Sequence, residues 1–343
     1  MKLQKKYKNM KVALLYNVRH IYPDPNDPRS HKEADFDDRE TIDAIVENLK
    51  VLGHDVLPIE ANEEAYQILY ENKNSIDIAF NYSLGINSKD RTAIFPAIFD
   101  LLKIPYTGSG VLTNALILNK AKAKDVMKSH GIPVLPHHLF KNGDDVKAEL
   151  KFPLIVKPIA QGSSAGITND SVVENESELR RQINFINSTF GDYALVETFI
   201  QGREFSVPML GNPPEILPII ESDHSKLPKG YRKLDSMEVK WVFEEQSEEN
   251  NLICPAKLDS IENKIKNIAI KVWDALGIKD LCRIDIRCDQ NGKPFVLEVN
   301  SPPGLIPPEV SKTSYFPFSA KVAGIAYPQL LQKIIDTAQK RYQ

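Results

Sequence analysis

The sequence predicts an α/β protein of two or three domains, and three observations carry that prediction. Between Lys11 and Tyr106, short apolar runs alternate with amphipathic helical stretches, the order that builds a parallel sheet covered on both faces. Further on, residues 282–304 read as an antiparallel hairpin, so the second part of the chain is α+β. The 343 residues exceed one typical domain, and a 42% hydrophobic content suffices for buried cores.

The elements follow in order. Residues 11–16 form a strand, and a Pro- and Asp-rich loop covers 17–36. Helix 39–52 puts Ile42, Ile45, Val46 and Leu49 on one face and stops at Gly53. Strand 55–59, helix 63–70, strand 76–80, helix 93–102 and a short strand at 104–106 complete the alternation. Ligands approach such sheets at the carboxyl ends of the strands, so the loops 17–36 and 81–91 should face a substrate. Thr107-Gly108-Ser109-Gly110 reads as a structural turn opening a helix that runs unbroken through Lys120 to Ser129. Next come strand 154–158, a strand at 166–168, helix 178–186 and strands 193–197 and 205–210. Residues 222–255 are long, polar and irregular, and read as a lid over reacting groups. Helix 261–276 precedes the hairpin. Helix 328–341 ends the chain with Leu330, Leu331, Ile334 and Ile335 inward.

Bulk properties exclude several classes. A net charge of -3 points neither to nucleic acid nor to an anionic membrane. Residues 1–9 are basic and polar and lack the apolar core of a signal peptide, and no apolar run is long enough for a bilayer. Cys254, Cys282 and Cys288 fit no zinc or redox spacing, and their odd number argues against a disulfide framework. A reducing cytoplasm is the expected location.

The hairpin carries the densest chemistry. Residues 283–287 and 296–300 alternate polar and apolar around an Asn291-Gly292 turn. Folded so, Asp285, Glu298 and Asn300 can share a face, a set of hard oxygen ligands suited to Mg²⁺ held jointly with phosphates. Pro302-Pro303-Gly304 follows at once and brings a glycine N–H beside any ligand. Upstream, Lys157 lies in an apolar strand, which is costly unless it meets an anion or its stem reaches the sheet edge. Gly162-Ser163-Ser164-Ala165-Gly166 can wrap phosphate oxygens with N–H groups and hydroxyls. The segment from Glu197 to Glu204 links two strands, and its Phe199 and Ile200 could clamp an adenine with Glu204 near the ribose.

Taken together and in this order, these motifs resemble the ATP-grasp superfamily, and within it the D-alanine–D-alanine ligase family. The resemblance runs from Ile76 onward. It implies an ATP-grasp fold: an N-terminal Rossmann-like domain (1–107), a central domain (108–199) and a C-terminal domain (200–343), the last two clamping ATP. It also implies roles. Lys120, Lys157, Gly162, Ser163 and Ser164 would contact phosphates. Glu197, with the Phe199 and Ile200 backbone, would bind adenine, and Glu204 the ribose. Asp285, Glu298 and Asn300 would hold two Mg²⁺ ions, for which Mn²⁺ can substitute. Arg283 and the Gly304 N–H would form an oxyanion site, Lys240 would approach the γ-phosphate, and Ser163 would join the catalytic set. The implied reaction converts a carboxylate to an acyl phosphate that an amine then attacks. Small molecules are the expected partners, and a homodimer the expected assembly.

Three departures lie in the substrate motifs. The dipeptide ligases carry His-Gly-x-x-Gly-Glu-Asp-Gly after the third strand, and here Asn81-Tyr82-Ser83-Leu84-Gly85-Ile86 stands there. Their glutamate after the first strand has no counterpart in Asn17-Val18-Arg19-His20, which leaves Glu33 as the nearest candidate. Their lid tyrosine falls at Trp241, and a carboxylate-binding serine falls near Glu309. A glutamate would repel a carboxylate there and receive a cationic or hydroxylated group. The sequence therefore favours a ligase of other small carboxylates and amines. D-alanine–D-alanine ligation in cell-wall synthesis ranks second, and a non-catalytic ATP-binding regulator third.

Overall fold

The computed structural model describes residues 8–146, 150–244, 251–311 and 314–343. Residues 1–7 of the basic, polar first segment and 245–250 of the expected lid lie outside that set. β1 (Lys11–Tyr16), α1 (Arg39–Val51), β2 (Asp55–Glu60), α2 (Ala65–Asn72), β3 (Ile78–Asn81) and α3 (Ile94–Leu102) alternate as the sequence predicts. The strands form a parallel sheet in the order β2-β1-β3. Strand alternation sorts β1 between two cores: Val12, Leu14 and Tyr16 face α1, while Ala13 and Leu15 face α2 and α3. In place of a strand at 104–106, Tyr106 alone bridges to Ala79.

The helix expected to run unbroken to Ser129 is two helices, α4 (Val111–Leu118) and α5 (Lys120–Ser129). Asn119 leaves helical geometry at ψ 95°, and its side chain caps α5 by accepting from the Lys122 N–H. The central sheet is antiparallel. It comprises β4 (His137–Phe140), β5 (Leu154–Pro158), β6 (Val172–Val173) and, after α6 (Glu176–Phe190), β7 (Ala194–Thr198), in the order β4-β7-β5-β6. No strand forms at 166–168. Consecutive turns fill that stretch, with Ala165 N–H on the Gly162 carbonyl and Ile167 N–H on the Ser164 carbonyl, both at 2.8 Å.

The third sheet contains β8 (Glu204–Leu210), β9 (Glu215–Ile216), β10 (Ile220–Ser222), β11 (Leu252–Ile253) and, after α7 (Glu262–Leu276), β12 (Leu281–Cys288) and β13 (Pro294–Asn300). Its order is β11-β10-β8-β12-β13, with β9 on β8. α7 and α5 cover one face, where Met127, Ile265 and Val272 pack with Phe205, Val207 and Ile284. α8 (Tyr315–Val322) and α9 (Tyr327–Gln339) end the chain. α9 returns to the first sheet: Leu330, Leu331, Ile334 and Ile335 share a core with Val12, Leu14 and Ile45. The core beneath β1 therefore draws on both ends of the chain. No described helix is long and apolar enough to cross a membrane.

Candidate active site

The hairpin sets the register of the site. Asp285 pairs opposite Glu298 and Arg283 opposite Asn300, with a bulge just after Asp285. All four side chains therefore share one face. Asp285 accepts from Ser206 Oγ on β8 at 2.7 Å and from Arg283 Nε and Nη2, both at 2.9 Å. Asn300 Nδ2 also donates to Asp285, at 2.9 Å, which orients the amide and leaves its carbonyl oxygen able to accept a cation. Burial pushes the Glu298 carboxyl up, but Lys120, Lys240, Lys157 and Arg283 outweigh it and bring its pKa down to about 2. Glu298 is thus held ionised. Two carboxylates and an amide are too few for an all-protein cage, and no group of three or more His, Cys, Asp or Glu gathers among the described residues. They fit Mg²⁺ that takes its remaining oxygens from phosphates and water.

Cations converge from two other elements. Lys120, at the start of α5, donates to the Gln161 carbonyl and lies 3.4 Å from Glu298 Oε2. Lys157 on β5 is 2.5 Å from Glu197 Oε2, and Lys124 is 2.9 Å from Glu197 Oε1. The Glu197 carboxylate is fully buried between these ammonium groups rather than facing an open cleft. Burial raises its pKa, and Lys124 and Lys157 more than reverse that. Beyond it, Phe199 N–H donates to the Pro153 carbonyl at 3.1 Å, and Arg287 lies 4.9 Å above the Phe199 ring while pairing with Glu204 at 3.0 Å. Ile200 is half-buried beside them.

The Gly-Ser loop is fastened from three sides. Ser163 and Ser164 take left-handed φ values of 47° and 59°. Gly162 N–H donates to both oxygens of Asp35, at 2.9 and 3.0 Å. Arg91 pairs with Asp35 at 2.7 Å and donates to the Ala160 carbonyl at 2.9 Å. Ser164 Oγ donates to the Asp235 carbonyl at 2.5 Å. Trp241, on the π-helical turn Glu238–Phe243, donates from Nε1 to the Ser163 carbonyl at 3.2 Å. The Arg19 guanidinium stacks 4.7 Å from the Trp241 ring, so the first loop and the lid meet over the flap.

These segments enclose one cavity. Of the sequence-predicted residues, Lys120, Gly162, Ser163, Lys240, Trp241, Arg283, Glu298, Asn300 and Gly304 line it. Lys157, Ser164, Glu197, Phe199, Ile200, Glu204 and Asp285 lie outside that lining. Glu33 and Glu309 are not brought to it either. The 3-10 turn Ser30–Glu33 aims Glu33 at the His20 N–H, 2.6 Å away, and Asp35 and Asp37 line the cavity instead. Glu309 is exposed and accepts from Asn48 Nδ2 at 3.1 Å, while Ser311 and Ser314 line the cavity. Arg91 and Tyr82 complete this wall. Burial raises the Asp37 carboxyl to about 6, against the opposing hydrogen bond from Tyr82 and the charge of Arg19. Sequence reasoning missed Asp35, Asp37, Tyr82 and Arg91. Their one sequence signal is position, in the two loops expected to face a substrate.

A family model described as "D-ala D-ala ligase C-terminus" matches residues 126–336. An uncharacterized protein of Sinorhizobium fredii is 31% identical over 308 residues, 88% of each chain. A D-alanine–D-alanine ligase of Desulforudis audaxviator is 31% identical over 307 residues, 87% of this chain and 92% of that one. The crystal structure of a D-alanine–D-alanine ligase from Bacillus anthracis complexed with ATP superposes with a TM-score of 0.69 at 23% identity, over 96% of this chain and 98% of that one. The chain belongs to the D-alanine–D-alanine ligase family of ATP-grasp enzymes, carbon–nitrogen ligases that use ATP and Mg²⁺.

Proposed function

We propose that this ligase activates one amino-acid carboxylate with ATP and joins it to the amine of a second amino acid, and that D-alanine is the pair its named relatives support best. That ranking reverses the one drawn from the altered substrate motifs. The observation that carries the ligase reading is the gathering of Arg283, Lys120, Lys240 and Glu298 with the Gly162-Ser163 flap around one cavity. Lys120, Lys157, Ser163, Ser164 and Gly162 serve the phosphates. The backbone from Glu197 through Phe199 and Ile200, with Glu204, serves the nucleoside end, while the Glu197 carboxylate is taken up by Lys124 and Lys157. Mg²⁺ on Asp285, Glu298 and Asn300 would neutralise the phosphoryl group in transfer. Arg283 and the Gly304 N–H polarise the substrate carboxylate and stabilise the oxyanion formed when the amine attacks. Lys240 brings positive charge from the lid, and Trp241 shuts water out. The expected assembly is a homodimer.

One observation favours a second reading, a substrate pair other than D-alanine. The substrate wall carries Asp35, Asp37, Tyr82 and Arg91 in place of the family's histidine and Glu-Asp pair. The test is phosphate release with mass detection of the product, first with ATP, Mg²⁺ and D-alanine alone, then with pooled amino acids. A dipeptide from D-alanine alone supports the first reading, and a product only from other amino acids supports the second. No release with any pool contradicts ligase activity and favours a nucleotide-binding regulator.

A further inference from the structure

Of the four lysines of α5, Lys120 and Lys124 lie one turn apart near its start, and the mechanism above uses only Lys120. Lys124 is fully buried. Its ammonium group lies 2.9 Å from Glu197 Oε1 and donates to the Val296 carbonyl of β13 at 3.1 Å. The other Glu197 oxygen is 2.5 Å from Lys157 Nζ. Two cations from different elements thus share one carboxylate that solvent does not reach. Helical spacing makes this possible: residues four apart share a face, and the break at Asn119 sets where that face points.

The arrangement has a consequence for the nucleotide. A buried ion that loses its partner is strongly destabilised. If Lys157 alone balanced Glu197, turning it toward a phosphate would leave that carboxylate uncompensated. We propose that Lys124 is a positioning residue, the permanent counter-ion of Glu197, which lets Lys157 leave the carboxylate for the phosphates of ATP. The role rests on the ATP reading given above. Lys124 needs no contact with the nucleotide; it acts through Glu197 and Lys157.

A double-mutant cycle on ATP affinity tests this in the full-length protein with Mg²⁺ and no amino acid, with folding checked by circular dichroism. Lys124→Met should weaken ATP binding more than about threefold in the wild-type background, yet less than about threefold once Lys157 is already Met. Lys124→Arg, which keeps the charge, should bind within about threefold of wild type. Lys124→Gln keeps a donor toward Glu197 and Val296 and takes the place of Lys124→Met if the latter does not fold. Binding by the neutral variant within about threefold of wild type overturns the proposal, and so does an equal loss in both backgrounds. Failure of the wild-type protein to bind ATP overturns the nucleotide reading itself, an outcome distinct from both.

Discussion

Asp35 shows how much of the site depends on single loop residues. Its carboxylate holds the Gly162 N–H of the flap and the Arg91 guanidinium, and both charged side chains are nearly buried, at 6% and 12% exposure. Removing it strands a guanidinium and an N–H. Asp35→Ala should therefore cost about 3–5 kcal/mol in equilibrium denaturation. A loss below about 1 kcal/mol would show that Arg91 and the flap find other partners. The sequence marked this loop as substrate-facing but pointed to Glu33. Glu33 closes a 3-10 turn and Asp35 lies two residues beyond it, and turn phase follows from long-range contacts that local pattern does not encode. The residues assigned to the metal were legible in part for the converse reason: strand alternation puts Asp285 on one face with Arg283 and Glu298 on one face with Asn300, while the bulge between Asp285 and Ile286 that brings the two pairs opposite each other carries no local signal.

At the scale of elements, the flap and lid share an anchor. Asp235 accepts from His224 Nε2 at 2.8 Å, Ser222 Oγ at 2.9 Å and Tyr315 OH at 3.0 Å, and its carbonyl holds Ser164. Burial disfavours a charged His224, but the hydrogen bond and charge of Asp235, with Glu204, raise its pKa above the ordinary value. Burial likewise opposes ionisation of Asp235, and His224 and Lys240 drive its pKa well below the ordinary range. A raised histidine stabilises fully below its unfolded value and loses that contribution as pH rises through the folded one. A depressed aspartate stabilises above its unfolded value and loses that contribution as pH falls. The pair is therefore strongest between about pH 4 and 6.5. The melting-temperature gap between wild type and His224→Gln should be widest near pH 6 and narrow as pH rises through the raised value of His224. A gap that widens with rising pH would contradict this charge state. The Asn119 break was harder to read, because good helix formers flank it on both sides and only its capping chemistry marks it.

At the scale of the molecule, the ends of the chain close one core. Ile334 on α9 is fully buried in the cluster that contains Val12 and Leu14. Ile334→Ala should destabilise the protein by about 2–5 kcal/mol although it lies far along the chain from β1. A change below about 1 kcal/mol in urea denaturation would mean that α9 does not hold the first sheet. This return was invisible in the sequence, where the amphipathic face of the last helix shows that it packs but not against what. The same tertiary closure brings the first loop, the flap, the lid and the hairpin around one cavity. The most direct test of that arrangement as a ligase centre is steady-state phosphate release by Glu298→Ala at ordinary Mg²⁺, on the substrates that support wild-type turnover. The carboxylate assigned to the metal predicts a loss of more than about 100-fold. Turnover close to wild type would contradict it.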